Sequence, residues 1–279
     1  APLDTHRQAR QILGFGPDMV GFSTTTSSFP DAAELAGKIK QARPETITVC
    51  GGVHVSALQE KLLADYPAFD FMVAGEGELT MSELAGGFDP EGIDGLIHRT
   101  GGEACANEPR KHIADLDSLP FPAYEKLPGF PHDYHLPLFS YVHTPGATMI
   151  TSRGCMYSCS YCDRSVFRKG YRYNSAAYIY EHMKYLRDKF GVRHINIYDD
   201  LFTAHRRRIV ETRKMIRQRR SRAHRLADGG EVARAAPVQR QTRQGAGQVG
   251  HRLEIGAQAA GEQRVVGQQI HRIEPLVDR

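Results

Sequence analysis

Residues 147–162 read ATMITSRGCMYSCSYC: a short apolar run, a polar step at Ser152-Arg153, then Gly154 and three cysteines within eight residues. The run 147–151 has the length and character of a buried strand, and Gly154 marks a turn directly after it. Downstream, Ile179, Met183, Leu186 and Phe190 recur at helical spacing over residues 175–190. Residues 194–198 (HINIY) read as a second strand ending at Asp199-Asp200, and a helix is expected over 204–216. These are two strand–helix units in which the cysteine loop sits at a strand's C-terminal end, where barrel active sites are built.

Upstream the alternation repeats. Strands are expected at 18–22 (DMVGF), 46–50 (TITVC) and 71–74, and helices at 30–42, from Ser56 onward, and at 80–85. Pro30-Asp31 opens the first of these helices, Leu35 and Ile39 line one face, and Pro44 lies beyond its end. Such alternation argues for a parallel, doubly wound sheet. The sheet is small, and the first part of this domain is expected to be missing. Residues 92–103 read as a hairpin-type excursion, and 109–137, with Pro120, Pro122, Pro128 and Pro131, as a linker laid over a surface. The chain divides as 1–90 (first α/β domain), 91–140 (hairpin and linker), 141–216 (second α/β region) and 217–279 (tail).

The tail is different in kind. From Ile216 to the end there is no Phe, Tyr, Trp, Cys, Met, Asn or Lys, and 12 Arg stand against 6 Asp and Glu. The formal charge of the whole chain is +4, so residues 1–215 are slightly acidic and the basic pI belongs to the tail. No nucleic-acid partner is expected on that balance. The tail reads either as an extension too poor in apolar residues to fold or as sequence out of frame, and the abruptness of the change favours the second. No apolar run approaches bilayer length and no signal-peptide pattern stands at the start. Five cysteines, three of them clustered, do not resemble a secreted disulfide framework, so a reducing cytoplasmic setting is expected.

Cys155, Cys159 and Cys162, separated by three and then two residues, bring three sulfurs onto one tight loop. An ordinary iron–sulfur site uses four thiolates. Three leave one iron open, as a substrate-activating metal requires. Cys105 falls in the hairpin and Cys50 in the first domain, so no fourth thiol is nearby. The alternative is a closed zinc site or a plain structural loop, although zinc prefers four protein ligands and His143 and His182 lack the usual close spacing.

On these residues the chain resembles the radical S-adenosylmethionine (SAM) superfamily, and the second region its (βα) barrel, present here only in its first units. The resemblance implies a [4Fe–4S] cluster on Cys155, Cys159 and Cys162, with the amino and carboxylate groups of SAM on the fourth iron. It implies reductive cleavage of SAM to a 5′-deoxyadenosyl radical and a reduced donor such as flavodoxin or ferredoxin. Tyr161, before the last cysteine, would pack near the adenine, and Asp199 and Asp200 would lie near the SAM amino group. The alternative for this acidic pair is a strand end at which Asp200 or Thr203 caps the next helix. Arg153 and Lys169 are left unassigned, as lone basic residues.

Residues 10–85 resemble the second half of the cobalamin-binding domain that precedes many radical SAM enzymes. The matching pieces are Ser23-Thr24-Thr25, Gly51-Gly52 and Gly75-Glu76-Gly77-Glu78, each following a strand. Ligands of parallel sheets bind outside the strands' carboxyl ends, and glycines there admit a large ring. The resemblance implies Ser23, Thr24, Gly51, Gly52, Gly75 and Gly77 as corrinoid contacts, although each piece could also be an ordinary turn. His6 is not assigned to cobalt, because Ala9 stands where the motif needs Gly, and His54 reads as a loop residue. The group includes anaerobic magnesium-protoporphyrin ester cyclases and many methyltransferases. The expected reaction on a small molecule is methyl transfer to an unactivated carbon or phosphorus, or radical cyclisation. The alternatives are a radical SAM protein without corrinoid and an inactive cluster-binding fragment.

Overall fold

The structure, a computed structural model, describes residues 4–136, 143–167 and 170–227, with side chains through 218. Helix α1 (Thr5–Leu13) opens the chain; Asp4 caps it by accepting from the Arg7 amide at 3.0 Å. Strand β1 (Met19–Ser23) follows, then α2 (Phe29–Ala42), with Pro30 in its first turn and Phe29, Ala32, Leu35, Ala36 and Ile39 buried along one stripe. After β2 (Ile47–Gly51) come two short helices, α3 (Val53–Leu58) and α4 (Glu60–Asp65), broken at Gln59, whose φ is +53°. The helix expected from Ser56 thus starts three residues earlier. Ser56 is buried inside it, donating to the Gly52 carbonyl at 2.9 Å and accepting from the Gly75 amide at 3.0 Å. Strand β3 (Phe71–Val73), α5 (Gly77–Ala85), β4 (Leu96–Thr100) and β5 (Glu103–Ala106) complete the first domain.

The sheet order is β1-β2-β3-β4-β5. The first three strands are parallel and in register (Val20 with Thr48, Val49 with Phe71), while β4 runs antiparallel to β3, with Val73 opposite Leu96. The expected hairpin is therefore present but is no excursion. It extends the sheet, which is mixed rather than wholly parallel. Alternation along the strands separates two cores. Val20, Phe22, Cys50, Met72 and Ile97 face α1 to α4, packing on Leu35, Ile39, Leu63 and Phe69. Val49, Val73 and Leu96 face the other way, onto Leu84 of α5 and Ile93. Helices on both faces make the domain doubly wound. Each of these fully buried side chains contributes about 1.5–3 kcal/mol by leaving water.

The proline-rich segment is built into the protein at both ends. Arg110 donates to the Thr80 hydroxyl (2.7 Å) and pairs with Glu83 on α5. Farther on, Tyr124, Leu127 and Phe130 join the core of the second region. That region begins with β6 (Gly146–Met149) and the two-residue strands β7 (Ser152–Arg153) and β8 (Arg172–Tyr173), which pair antiparallel. Helix α6 (Ala176–Phe190) is capped by Ser175, which accepts from the Tyr178 amide at 3.1 Å, and stops at Gly191 in the left-handed region (φ +67°). Strand β9 (His194–Ile197) returns parallel to β6, so β6–α6–β9 is one crossover unit packed on Ala147, Met149, Ile179 and Leu186.

Helix α7 (Arg206–Ala227) continues beyond the expected end at 216, through residues that are mostly good helix formers. Its start is capped by His205, whose Nδ1 accepts from the Arg208 amide at 3.2 Å; this is the position for which Asp200 or Thr203 was the alternative reading. Residues 228–279, most of the arginine-rich tail, lie outside the described residues, as does Lys169. No described helix is long and apolar enough to cross a membrane.

Candidate functional site

The cysteine loop is pinched at its neck. Strands β7 and β8 pair Ser152 with Tyr173 and Arg153 with Arg172, so the chain leaves and returns within one ribbon. Gly154 holds φ +79°, and a Cβ there would sit 2.4 Å from the Gly170 carbonyl oxygen, so only glycine closes the neck. Beyond it Cys155 is half-buried, and Cys159 and Cys162 are exposed; all three are free thiols. The Cys162 amide donates to the Cys159 carbonyl at 3.2 Å, which curls that end of the loop. Tyr161 stands out from the loop, 90% exposed.

The three cysteines share one loop, but no set of three or more His, Cys, Asp or Glu among the described residues is gathered closely enough to hold a metal ion. The donor set suits an incompletely ligated iron cluster, being three accessible thiols without a fourth. Cys50 is no candidate, because it is buried in the first domain and burial pushes its thiol up to about 11. His182, weighed above for zinc, lies in the core of the second region, with Nε2 against the Tyr124 hydroxyl at 3.1 Å and its ring stacked on Phe121.

The acidic pair after β9 divides its duties. Asp199 is enclosed, with 0% of its side chain exposed. One carboxylate oxygen accepts from the Thr151 and Ser152 amides at 2.5 and 3.0 Å; the other accepts from the Thr151 hydroxyl at 2.6 Å and faces Arg208 at 3.4 Å. Arg208 is itself buried and donates to the carbonyls of Thr151 (2.7 Å) and Phe202 (2.9 Å). Asp199 therefore clamps the end of β9 to the residues entering the cysteine loop, and its oxygens are spent on that clamp rather than open to a ligand. Asp200 is exposed beside it.

In the first domain the three sequence pieces do converge on the C-terminal ends of β1, β2 and β3. Ser23 is exposed there. Thr24 is buried and works as a brace, its hydroxyl donating to the Gly51 carbonyl at 3.1 Å. Gly52, at φ +103°, lies so close to Thr24 that a Cβ would meet the Thr24 oxygen at 2.4 Å. Gly75 also holds positive φ (+79°), with open space where a Cβ would point. At Gly51 and Gly77 the nearest atoms to an added Cβ are 3.4 and 3.5 Å away, so those two are small by choice of surface rather than by backbone need. Of the four, only Gly75 has open space where a Cβ would point, and it is there that backbone is left clear for a ligand. His54 packs on Phe29 and bonds Thr26 at 3.1 Å, as a loop residue would. His6 lies on α1.

Glu76, between the two glycines, does something the sequence did not suggest. Its side chain is 3% exposed and reaches into the second region. It accepts from Arg153 at 2.9 Å, from Arg172 at 2.8 and 3.0 Å, and from the Ile113 amide at 2.9 Å. Glu78 pairs with the other nitrogen of Arg153. Burial pushes the Glu76 carboxyl upward, but the hydrogen bonds from Arg172, Arg153 and Ile113 outweigh it and hold it at about 2. Its arginine partners lie 77 and 96 residues away, so no local pattern signals them.

Comparison with known proteins agrees with this layout. Residues 2–85 match the model of the B12 binding domain, and residues 149–244 that of the radical SAM superfamily, a match that runs past Ile216. An uncharacterized methyltransferase of Pyrococcus horikoshii is 33% identical over 215 residues, covering 75% of this chain and 45% of the relative. An anaerobic magnesium-protoporphyrin IX monomethyl ester cyclase of Rubrivivax gelatinosus is 27% identical over 217 residues, covering 75% and 38%. The chain thus spans less than half the length of these relatives. Among solved structures, the radical SAM methyltransferase TsrM of Kitasatospora setae, with cobalamin and a [4Fe–4S] cluster bound, superposes with a TM-score of 0.53. It is 17% identical, with 79% of this chain and 44% of that chain covered, a likeness of fold. The chain belongs to the radical SAM superfamily, in the group that carries a B12-binding domain ahead of the radical SAM domain.

Proposed function

We propose that this chain is the cofactor-binding part of a cobalamin-dependent radical SAM enzyme that acts on a small molecule by methyl transfer or radical cyclisation. The observation that carries the reading is the pinched loop with three accessible thiols, held against a domain whose strand ends carry the glycines Gly51, Gly52, Gly75 and Gly77. A [4Fe–4S] cluster held there would supply the electron for reductive cleavage of SAM. Cys155, Cys159 and Cys162 would be its protein ligands, with no fourth thiol on the loop, so that SAM could bind beside them. Tyr161 offers an uncovered ring for the adenine, and Asp200 a carboxylate for the SAM amino group, while Asp199 acts from behind by fixing Thr151 and Ser152. Ser23 and the glycines Gly51, Gly52, Gly75 and Gly77 receive the corrinoid, with Thr24 as the brace beneath them. Reduction calls for a donor such as flavodoxin or ferredoxin, for which the exposed loop leaves access, and a reducing cytoplasm keeps the thiols fit for iron.

Anaerobic reconstitution with iron and sulfide tests this reading. The chain takes up a cluster with the absorption and reduced-state EPR of [4Fe–4S], Cys159→Ala loses it, and dithionite with SAM yields 5′-deoxyadenosine in protein carrying the complete barrel. Zinc retained in a four-coordinate site, or full iron content in Cys159→Ala, would refute the assignment. Hydroxocobalamin added to the chain shows whether the first domain holds a corrinoid, through a shifted absorption band that survives gel filtration.

A further inference from the structure

We propose that Glu76 is a positioning residue that docks the neck of the cysteine loop onto the strand-end face of the first domain, and so sets where the cluster stands relative to that face. The inference rests on the cluster reading above, but its geometry does not depend on it. Arg153 and Arg172 are partners across the β7–β8 ribbon, one on each strand of the neck. Both guanidinium groups converge on the same carboxylate, and Arg172 also donates to the Ile113 carbonyl at 2.7 Å, so the inter-domain segment is part of the same knot. Arg153 lies two residues before Cys155, so a shift of its guanidinium moves the first ligand.

A second contact has the same sense. The Ser165 hydroxyl, on the far side of the loop, donates to the Val53 carbonyl at 3.5 Å, and Val53 directly follows Gly51-Gly52. The loop therefore meets the first domain at two points, each beside one of the glycine pieces at the strand ends. A carboxylate buried between two arginines holds direction as well as charge, because planar guanidinium groups bond it in fixed geometry. A buried pair also does not weaken with salt as a surface pair does.

The test uses the full chain, before and after anaerobic reconstitution. In Glu76→Gln, amides at 152–154 and 170–173 should exchange about tenfold faster or more, while β1 and β2 keep their protection. Iron uptake should match wild type, but the change in the reduced-cluster EPR spectrum on adding SAM should be lost or altered. Arg172→Met should reproduce both effects, and the double variant Glu76→Gln/Arg172→Met should add little, as expected of one interaction removed twice. Glu45→Gln, which breaks an exposed pair with Arg43, serves as the charge control and should change neither readout.

The proposal is overturned if neck exchange and the SAM-dependent spectrum are unchanged in Glu76→Gln, or if the two substitutions act additively. Acceleration spread through β1 and β2 would mark a general loss of the first domain and also counts against it. If wild type takes up no cluster, the functional reading fails, and the exchange arm still decides whether Glu76 holds the neck.

Discussion

Asp199→Asn should destabilise the second region of the chain with no SAM present. Asn keeps the shape but offers one acceptor oxygen. Placed toward the Thr151 and Ser152 amides it preserves two hydrogen bonds, but its NH2 then points at the Thr151 hydroxyl and Arg208. The hydroxyl can rotate to accept; the guanidinium cannot. Arg208, 2% exposed, is left as a buried cation without a counter-charge, a situation that costs about 3–5 kcal/mol. Arg208 keeps its bonds to the Thr151 and Phe202 carbonyls, so the lower end, about 3 kcal/mol, is expected. That corresponds to about a 150-fold faster hydrogen exchange for amides that open with this unit. The assay is native-state exchange at Ala147 and Ile195, which face each other across β6 and β9, in the metal-free chain. Glu211→Gln, which removes the exposed Arg207–Glu211 pair, should leave the same amides within about twofold of wild type. If Asp199→Asn leaves them within about threefold of wild type, the clamp is not structural and Asp199 returns to the list of SAM contacts.

Two further outcomes follow from the same geometry. Gly52→Ala forces a Cβ against the Thr24 backbone at positive φ and should cost about 2–4 kcal/mol in urea denaturation of the first domain, whereas Gly51→Ala should cost far less; equal midpoints would contradict the assigned backbone conformation. His182 is buried, which pushes its imidazole down from the ordinary 6.5 to about 4, so the folded chain stays neutral where the unfolded chain takes up a proton. Stability is then full above pH 6.5 and falls as pH drops toward 4, by about 3 kcal/mol, and His182→Phe, which retains the stack on Phe121, should flatten that limb in acid titrations followed by near-ultraviolet circular dichroism.

Much of the architecture could be read from local pattern. Leu35 and Ile39 at helical spacing, the β-branched run before Gly51 and the apolar run before the cysteine loop all became the elements they suggested, because each carries its burial signal within a few residues. Helix α1 was missed because its apolar residues are only Ala9, Ile12 and Leu13, all in its second half, behind a start written in Thr, His, Arg and Gln. The hairpin was visible but its partner was not, since whether β4 joins β3 depends on a register that no single strand encodes. Of the site, the cysteine spacing and the glycines were legible as motifs, whereas the duties of Asp199 and Glu76 were not. A buried carboxylate is defined by its partners, and theirs lie 47 to 96 residues away, apart from Arg208 and, for Glu76, Ile113.

The proline-rich segment invites comparison with a flexible tether, but its attachments describe a strut. Arg110 fastens it to α5, Ile113 sits in the Glu76 knot, Asp117 accepts from the Ser175 amide at 2.9 Å, and Tyr124 and Phe130 lie among the rings of α6. Swinging the two domains apart would break the Glu76 knot in which Ile113 takes part and expose its paired charges, so the segment is a poor hinge. With the spacing between the halves held in this way, the travelling in any reaction carried out here falls to the small molecules rather than to the domains.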